Sequence, residues 1–246
     1  MHTLTKLTWV EIKLFIREPI TMVLSLFFPI ILLFVLAEVF GNNPDPEIYR
    51  GVGPIDFYVP AYIGLVIASV GLVGIPVHLS GYREAGVLRR FRASSIPIWS
   101  VFGSQIIISF VVATVSGALM ILATRLIYDL NSPHFTTGVV AGFVLGTLSF
   151  AALGFLLGAL LPTARAAQMA GLILFFVMML LSGTGPPPEV LGDILQQIGD
   201  ILPLTHLVYL LQDAWLGFGW NTTEMFIVIV ILLGSAILSL RFFQWE

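Results

Sequence analysis

Residues 81–97 read GYREAGVLRRFRASSIP, and the reading of this stretch organises the whole chain. It holds Arg83, Arg89, Arg90 and Arg92, four of the chain's 11 basic residues, in a sequence that is otherwise strongly apolar. On both sides of it lie apolar runs long enough to cross a bilayer. A charged stretch between two such runs cannot be buried in hydrocarbon. It marks a loop on one membrane face, and basic loops stay in the cytoplasm.

The composition requires a bilayer. Of 246 residues, 58% are hydrophobic and 10% charged, and the mean hydropathy is +1.00. A soluble domain carries roughly 25% charged residues, so a water-soluble fold of this composition would expose too much apolar surface. The fold class is an all-α membrane protein. There is no cysteine, which excludes disulfides, thiol catalysis and thiolate-bound metal.

Apolar runs at 20–40, 58–80, 99–126, 138–161, 167–181 and 225–243 read as six transmembrane helices crossing about 30 Å of hydrocarbon, the third longer than needed and so tilted or projecting, and 167–181 the start of the fifth. Pro29 is expected to kink the first. Gly64, Ala68, Gly71 and Gly74 in the second run are small enough to let helices approach. Gly138, Gly142 and Gly146 in the fourth, with Gly154 and Gly158 at the same spacing, predict a groove for a neighbouring helix.

Two segments do not span. Residues 3–17 form an amphipathic interfacial helix, with Lys6, Lys13 and Arg17 on one stripe and Leu4, Leu7, Val10, Leu14 and Phe15 on an apolar arc. Glu11 interrupts that arc, which predicts a protein partner for it rather than lipid. Residues 186–219 are apolar but broken by Asp193, Asp200, Pro203 and Asp213. They read as two short outer helices that re-enter the membrane without crossing, which is tolerable only where the backbone is packed in protein or faces water.

Basic residues orient the chain. Lys6, Lys13, Arg17, the four arginines of the opening stretch, Arg165 and Arg241 fall on one side, and Arg50 and Arg125 on the other. Asp45, Glu47, Asp56, Asp129, Glu189, Asp193, Asp200 and Asp213 share the second side. Both termini and residues 81–97 are therefore expected in the cytoplasm.

Chemistry within the chain is unpromising. The only lysines, Lys6 and Lys13, do not follow a glycine-rich turn, so there is no P-loop. His2, His78, His134 and His206 are far apart and give no metal motif, and no G-x-S-x-G elbow is present. Apart from Arg241 at the C-terminal end of the last run, charges within the spans are limited to Glu38 and Arg125, which either pair across spans one and three or each reach the outer interface. Neither is placed for an ion relay.

The layout then resembles a known family. An N-terminal helix ending in Arg17-Glu18-Pro19, the segment R-E-x-G-x-L-R-R-x-R-x-x-x-x-P from Arg83 to Pro97, and a broken outer element containing Leu202-Pro203-Leu204-Thr205 are similar to the membrane subunit of an ABC type-2 exporter, close in layout to daunorubicin-resistance and polysaccharide-export permeases. The sequence departs from that pattern at Gly185 and at Gln212-Asp213.

The resemblance implies a single transmembrane domain over residues 1–246 in the inner (plasma) membrane of a bacterium. It implies a second copy of the permease or a close homologue, two copies of a separate ABC ATPase that holds ATP and Mg, no cofactor on this chain, and no nucleic acid. Carried over by position, Arg83, Glu84, Arg89, Arg90 and Arg92, with Lys6, Glu11, Lys13 and Arg17, form the ATPase-coupling set. Glu84 or Glu11 is expected to hold one of the arginines in place. Ile67, Val70 and Val73 of span two and Phe175, Met178, Met179 and Ser182 of span five are expected to line a substrate path. The implied function is export of an apolar or amphiphilic drug or lipid. Export of a lipid-linked polysaccharide and a non-transporting membrane scaffold are the alternatives.

Overall fold

The computed structural model describes residues 2–94, 96–128 and 130–243. Ser95 of the basic stretch and Asp129 of the acidic set lie outside the described residues. All regular structure among the described residues is helical. Six helices are long and apolar enough to cross a membrane: Pro19–Val39, Pro54–Glu84, Trp99–Ile127, Thr136–Leu160, Ala164–Leu181 and Thr222–Phe242, spans one to six. A helix at His2–Ile16 precedes them. Before span six, Asp193–Gly199 and Pro203–Leu216 form a pair bent by 84°.

Span two is longer at both ends than its apolar run. Pro54 sits in its first turn, where a missing N–H costs nothing, and nothing stops the helix until Gly86. Arg83 and Glu84 therefore belong to the helix rather than to the loop. The expected kink at Pro29 takes the form of a π turn, Val23–Phe27, and span two repeats the device at Val70–Gly74 ahead of Pro76. Proline cannot donate to the carbonyl four residues back and its ring crowds that carbonyl, so one widened turn absorbs the mismatch.

Span two is also the axle of the bundle. Every residue of Pro54–Ser69 is buried. In its most apolar window 89% of residues are buried, against 28% in span five and 17% in span six. Spans one, three, four and five and the helix Pro203–Leu216 all pack on it, while span six lies mainly along span four and His2–Ile16 along span three. A helix apolar on every side belongs at the centre of such an arrangement.

Close approach comes from the glycines. The face carrying Gly138, Gly142 and Gly146 receives Leu207, Leu210, Leu211 and Ala214 of Pro203–Leu216. The face carrying Gly154 and Gly158 receives Ile75 and Leu79 of span two. One glycine series thus serves two neighbours. The eight positions from Gly146 to Gly154 advance the face by about 80° at 3.6 residues per turn.

At the π turn of span two the backbones meet. A Cβ at Gly154 would overlap the Gly71 carbonyl oxygen, and one at Gly171 the Leu72 carbonyl oxygen. Gly171→Val is therefore expected to push span five off span two and cost about 2–3 kcal/mol, read as a lowered thermal unfolding midpoint. An unchanged midpoint would contradict this packing.

Candidate functional site

Three arginines stand clear of the bundle at its basic end. Span two stops at Gly86, whose φ of 67° is the left-handed conformation that ends helices and that glycine adopts without a Cβ clash. A short helix, Val87–Ala93, follows, and span three starts after Pro97. Leu88 anchors the short helix. It is buried in a cluster with Ile75, Leu79, Phe102, Ala151 and Phe155, and Phe91 packs beside it. Leu88 and Phe91 are three apart and share the inner face. Arg89, Arg90 and Arg92 are left exposed. The helix is thus a short lever seated on the end of the axle.

Arg83 and Glu84 do something else. The Arg83 guanidinium donates to the carbonyls of Ala159 and Gly158, each at 3.1 Å, and to that of Leu161. These are the orphan carbonyls at the C-terminal end of span four. Glu84 Oε2 accepts from the Ala164 N–H at 3.0 Å, at the start of span five, where Thr163 caps the Ala166 N–H. A cation meets the negative end of one helix dipole and an anion the positive end of the next. The pair clamps the turn between spans four and five to the tip of span two.

The N-terminal helix divides similarly. Lys6, Lys13 and Arg17 are exposed, together with Trp9, Val10 and Ile16. The Lys13 ammonium lies 5.3 Å from the centre of the Trp9 ring. Glu11 points inward, and the Tyr82 hydroxyl donates to its Oε1 at 2.7 Å. Its partner is protein, as its break in the apolar arc predicts. Burial pushes the Glu11 carboxyl above its usual range, with the Tyr82 hydrogen bond, His78 and the facing Gln105 amide pulling the other way. Neither Glu11 nor Glu84 holds an arginine among the described residues, because both sit on helices whose facing groups are a tyrosine hydroxyl and a backbone N–H.

The residues chosen for a path are packed in protein. Ile67, Val73, Phe175 and Met178 lie in the main core, and Val70 packs with Phe15, Ile108 and Val112. Ser182 is buried and Met179 half-buried. The exposed apolar side chains of this region lie on other faces: Ile20, Val23 and Phe27 of span one, and Ile173, Phe176 and Leu180 of span five. A cleft of about 360 Å³ lined by Pro19, Ile20, Val23, Leu24, Leu172 and Phe176 joins the two spans.

The acidic end carries a network that sequence reasoning did not single out. Arg50 Nη2 donates to Asp213 Oδ1 at 2.7 Å, and Asn221 Nδ2 to Asp213 Oδ2 at 2.8 Å. The Arg50 guanidinium carbon lies 4.4 Å from the centre of the Phe218 ring. This ties the loop before span two to Pro203–Leu216 and to the start of span six. The signal available was Arg50 itself, one of two cations among many acids. Glu38 and Arg125 do not pair. Glu38 accepts from the Tyr128 hydroxyl at 2.8 Å and Arg125 donates to the Ser132 hydroxyl at 3.0 Å.

Comparison with known proteins agrees with this layout. A family model described as "ABC-2 type transporter" matches residues 3–216. The chain is 24% identical over 185 residues to the probable multidrug ABC transporter permease YbhR of Escherichia coli K12, a match covering 73% of this chain and 50% of that one. It is 26% identical over 208 residues to the putative transport permease YvfS of Bacillus subtilis 168, covering 84% of this chain and 82% of that one. The chain thus spans about half the length of the E. coli relatives it matches.

Proposed function

The chain belongs to the ABC-2 type transporter family, and from that premise we propose that it is the permease subunit of an ATP-driven exporter that moves an apolar or amphiphilic drug or lipid outward across a bacterial inner membrane. As a multi-pass membrane component it supplies the passage and not the hydrolysis. A separate ABC ATPase, in two copies, holds ATP and Mg, and two permease chains form the membrane unit. The basic end, with both termini, faces the cytoplasm.

The observation that carries this reading is the lever Val87–Ala93. Three exposed arginines stand on a helix whose Leu88 is locked into the same cluster as span two. A partner gripping those arginines pulls directly on the helix around which spans one, three, four and five pack. Arginine suits the contact because its planar head binds carboxylates at two points and keeps its charge. Arg83, Glu84 and Glu11 then belong to the frame that stiffens the lever, and Lys6, Lys13 and Arg17 offer a second contact beside it. Cargo contact moves to the exposed apolar faces of spans one and five, with Met179 at their edge. The uncharged character of those faces, and the word "multidrug" in the name of one relative, support an apolar cargo.

The test is co-expression with an ABC ATPase from the same source, co-purification, and reconstitution in lipid vesicles. Expected is a stable complex that moves a lipophilic dye or fluorescent lipid only with ATP. A chain that captures no ATPase and moves nothing is a scaffold, and movement driven by a proton gradient alone makes it a carrier.

A further inference from the structure

Beneath the lever lies a polar cluster that the proposed docking surface does not use. Four elements converge there. Glu11 comes from the N-terminal helix, Glu18 and Thr21 from the start of span one, His78 and Tyr82 from span two, and Gln105 from span three. His78 Nε2 lies 3.0 Å from Glu18 Oε2, and His78 Nδ1 lies 4.0 Å from Glu11 Oε2. Glu18 Oε2 also accepts from the Thr21 hydroxyl at 3.4 Å.

The bonding of this cluster is incomplete. Glu11 and Gln105 are each 2% exposed. Even so, Glu11 Oε2 and Gln105 Nε2 make no hydrogen bond among the described residues. Both side chains line a cavity of about 10 Å³ that Thr21, Gly74 and His78 also border. That volume is near the least that holds one water, so no larger ligand fits. The charge is unbalanced as well. Glu11 and Glu18 have His78 as their only ion-pair partner among the described residues, and His78 sits nearer Glu18. A second ionised carboxylate here would be a buried charge without a counter-ion, and such a group takes up a proton instead. The π turn Val70–Gly74 forms one wall, where the helix ladder of span two is already interrupted.

We propose that Glu11, His78 and Glu18 form a proton-binding site that latches the N-terminal helix to spans one, two and three, with Glu11 carrying the proton while the helix is docked. The proton converts the unpaired Glu11 oxygen from an acceptor into a donor. Rotation of the Gln105 amide then presents its oxygen to that O–H. Loss of the proton leaves an uncompensated carboxylate in the cavity and releases the helix that carries Lys6, Lys13 and Arg17. The other titratable groups facing Glu11 are Tyr82, His78 and Glu18, while span three presents only the amide of Gln105.

The site is testable without transport, so its failure is separate from any failure of the exporter reading. Purified chain in lipid nanodiscs is compared with Glu11→Gln, an isostere of the neutral acid. The folded carboxyl titrates above its unfolded value, as burial requires. Its stabilisation is therefore complete at acid pH and lost as pH rises through the folded value. The unfolding midpoint of the wild type is expected to fall as pH rises above the usual carboxylate range. Glu11→Gln is expected to keep the acid-side midpoint throughout, with the Glu11-dependent shift lost. Infrared spectra of chain labelled with ¹³C-glutamate should show a protonated-carboxyl band that fades over the same range, a readout that holds even if the variant fails to fold. A Glu11→Gln midpoint below that of the wild type at acid pH, or no protonated glutamate band there, overturns the proposal and makes Glu11 an ionised partner of a charged His78.

Discussion

Replacing Arg89, Arg90 and Arg92 together by glutamate is expected to weaken capture of the ATPase at least ~100-fold and to abolish ATP-dependent transport, while the permease itself stays folded. The three side chains are exposed, so their removal leaves no buried group unpaired. Exposed substitutions of this kind stay within about 0.5 kcal/mol each in stability. Hydrogen bonds to charged groups are worth about 1.5–3 kcal/mol each. Loss of the equivalent of about 3 kcal/mol in binding is about 100-fold in affinity, and reversed charge adds repulsion on top of loss. Leu88→Ala is the contrasting control. It deletes a buried anchor and costs about 2–5 kcal/mol of stability, with the arginines intact. The measurement is a titrated pull-down of the ATPase alongside a thermal unfolding curve. Undiminished capture by the triple variant sinks the lever as the docking point and moves the contact to Lys6, Lys13 and Arg17.

Asp213→Ala is expected to be the most destabilising single change at the acidic end, by about 3 kcal/mol or more, because breaking a buried pair strands its partner. Asp213 is 7% exposed and holds both Arg50 and Asn221. Without it the Arg50 guanidinium stays against Phe218 with no carboxylate, and its Nη1 already lacks a hydrogen-bond partner among the described residues. The backbone of Arg50 is held at a φ of 57°, a conformation that a non-glycine residue keeps only when its surroundings enforce it. Asn221 also caps span six by accepting from the Glu224 N–H at 3.1 Å, so the damage extends to that helix start. The double variant Arg50→Met with Asp213→Leu is expected to recover most of the loss, because it removes both charges at once. A double variant no more stable than Asp213→Ala would show that the pair is not the source of the effect. The measurement is again the unfolding midpoint in lipid.

Most of the architecture was open to reading. The six apolar runs match six spans, with ends displaced where a proline starts a helix or a glycine stops it. The broken segment before span six is two helices at a sharp angle. The candidate coupling set was half legible. Exposure of Arg89, Arg90 and Arg92 follows from a short amphipathic pattern, and the inward turn of Glu11 from its place in an apolar arc. That Arg83 would cap span four and Glu84 the start of span five was hidden, since their partners are backbone groups nearly eighty positions away. Hydropathy is also silent on which apolar residues of spans two and five are packed inside the chain. Ile67 and Phe175 are apolar, but so are Ile173 and Phe176, and only the second pair is exposed.

That this chain lives in a bilayer, how many times it can cross, and which end of the bundle is basic are written in the order of its residues. Those properties depend on the length of apolar runs and the placement of charge, and the bilayer reads both locally. Only the tertiary structure decided what residues 81–97 are attached to. Lipid and protein interior are equally apolar, so hydropathy cannot tell the buried span two from the exposed span six. Glycines of spans four and five bring those helices against the span two backbone at its π turn, with span two at the centre. The arginine lever thereby became the handle of the central helix, with its Phe91 against Tyr82, which donates to Glu11.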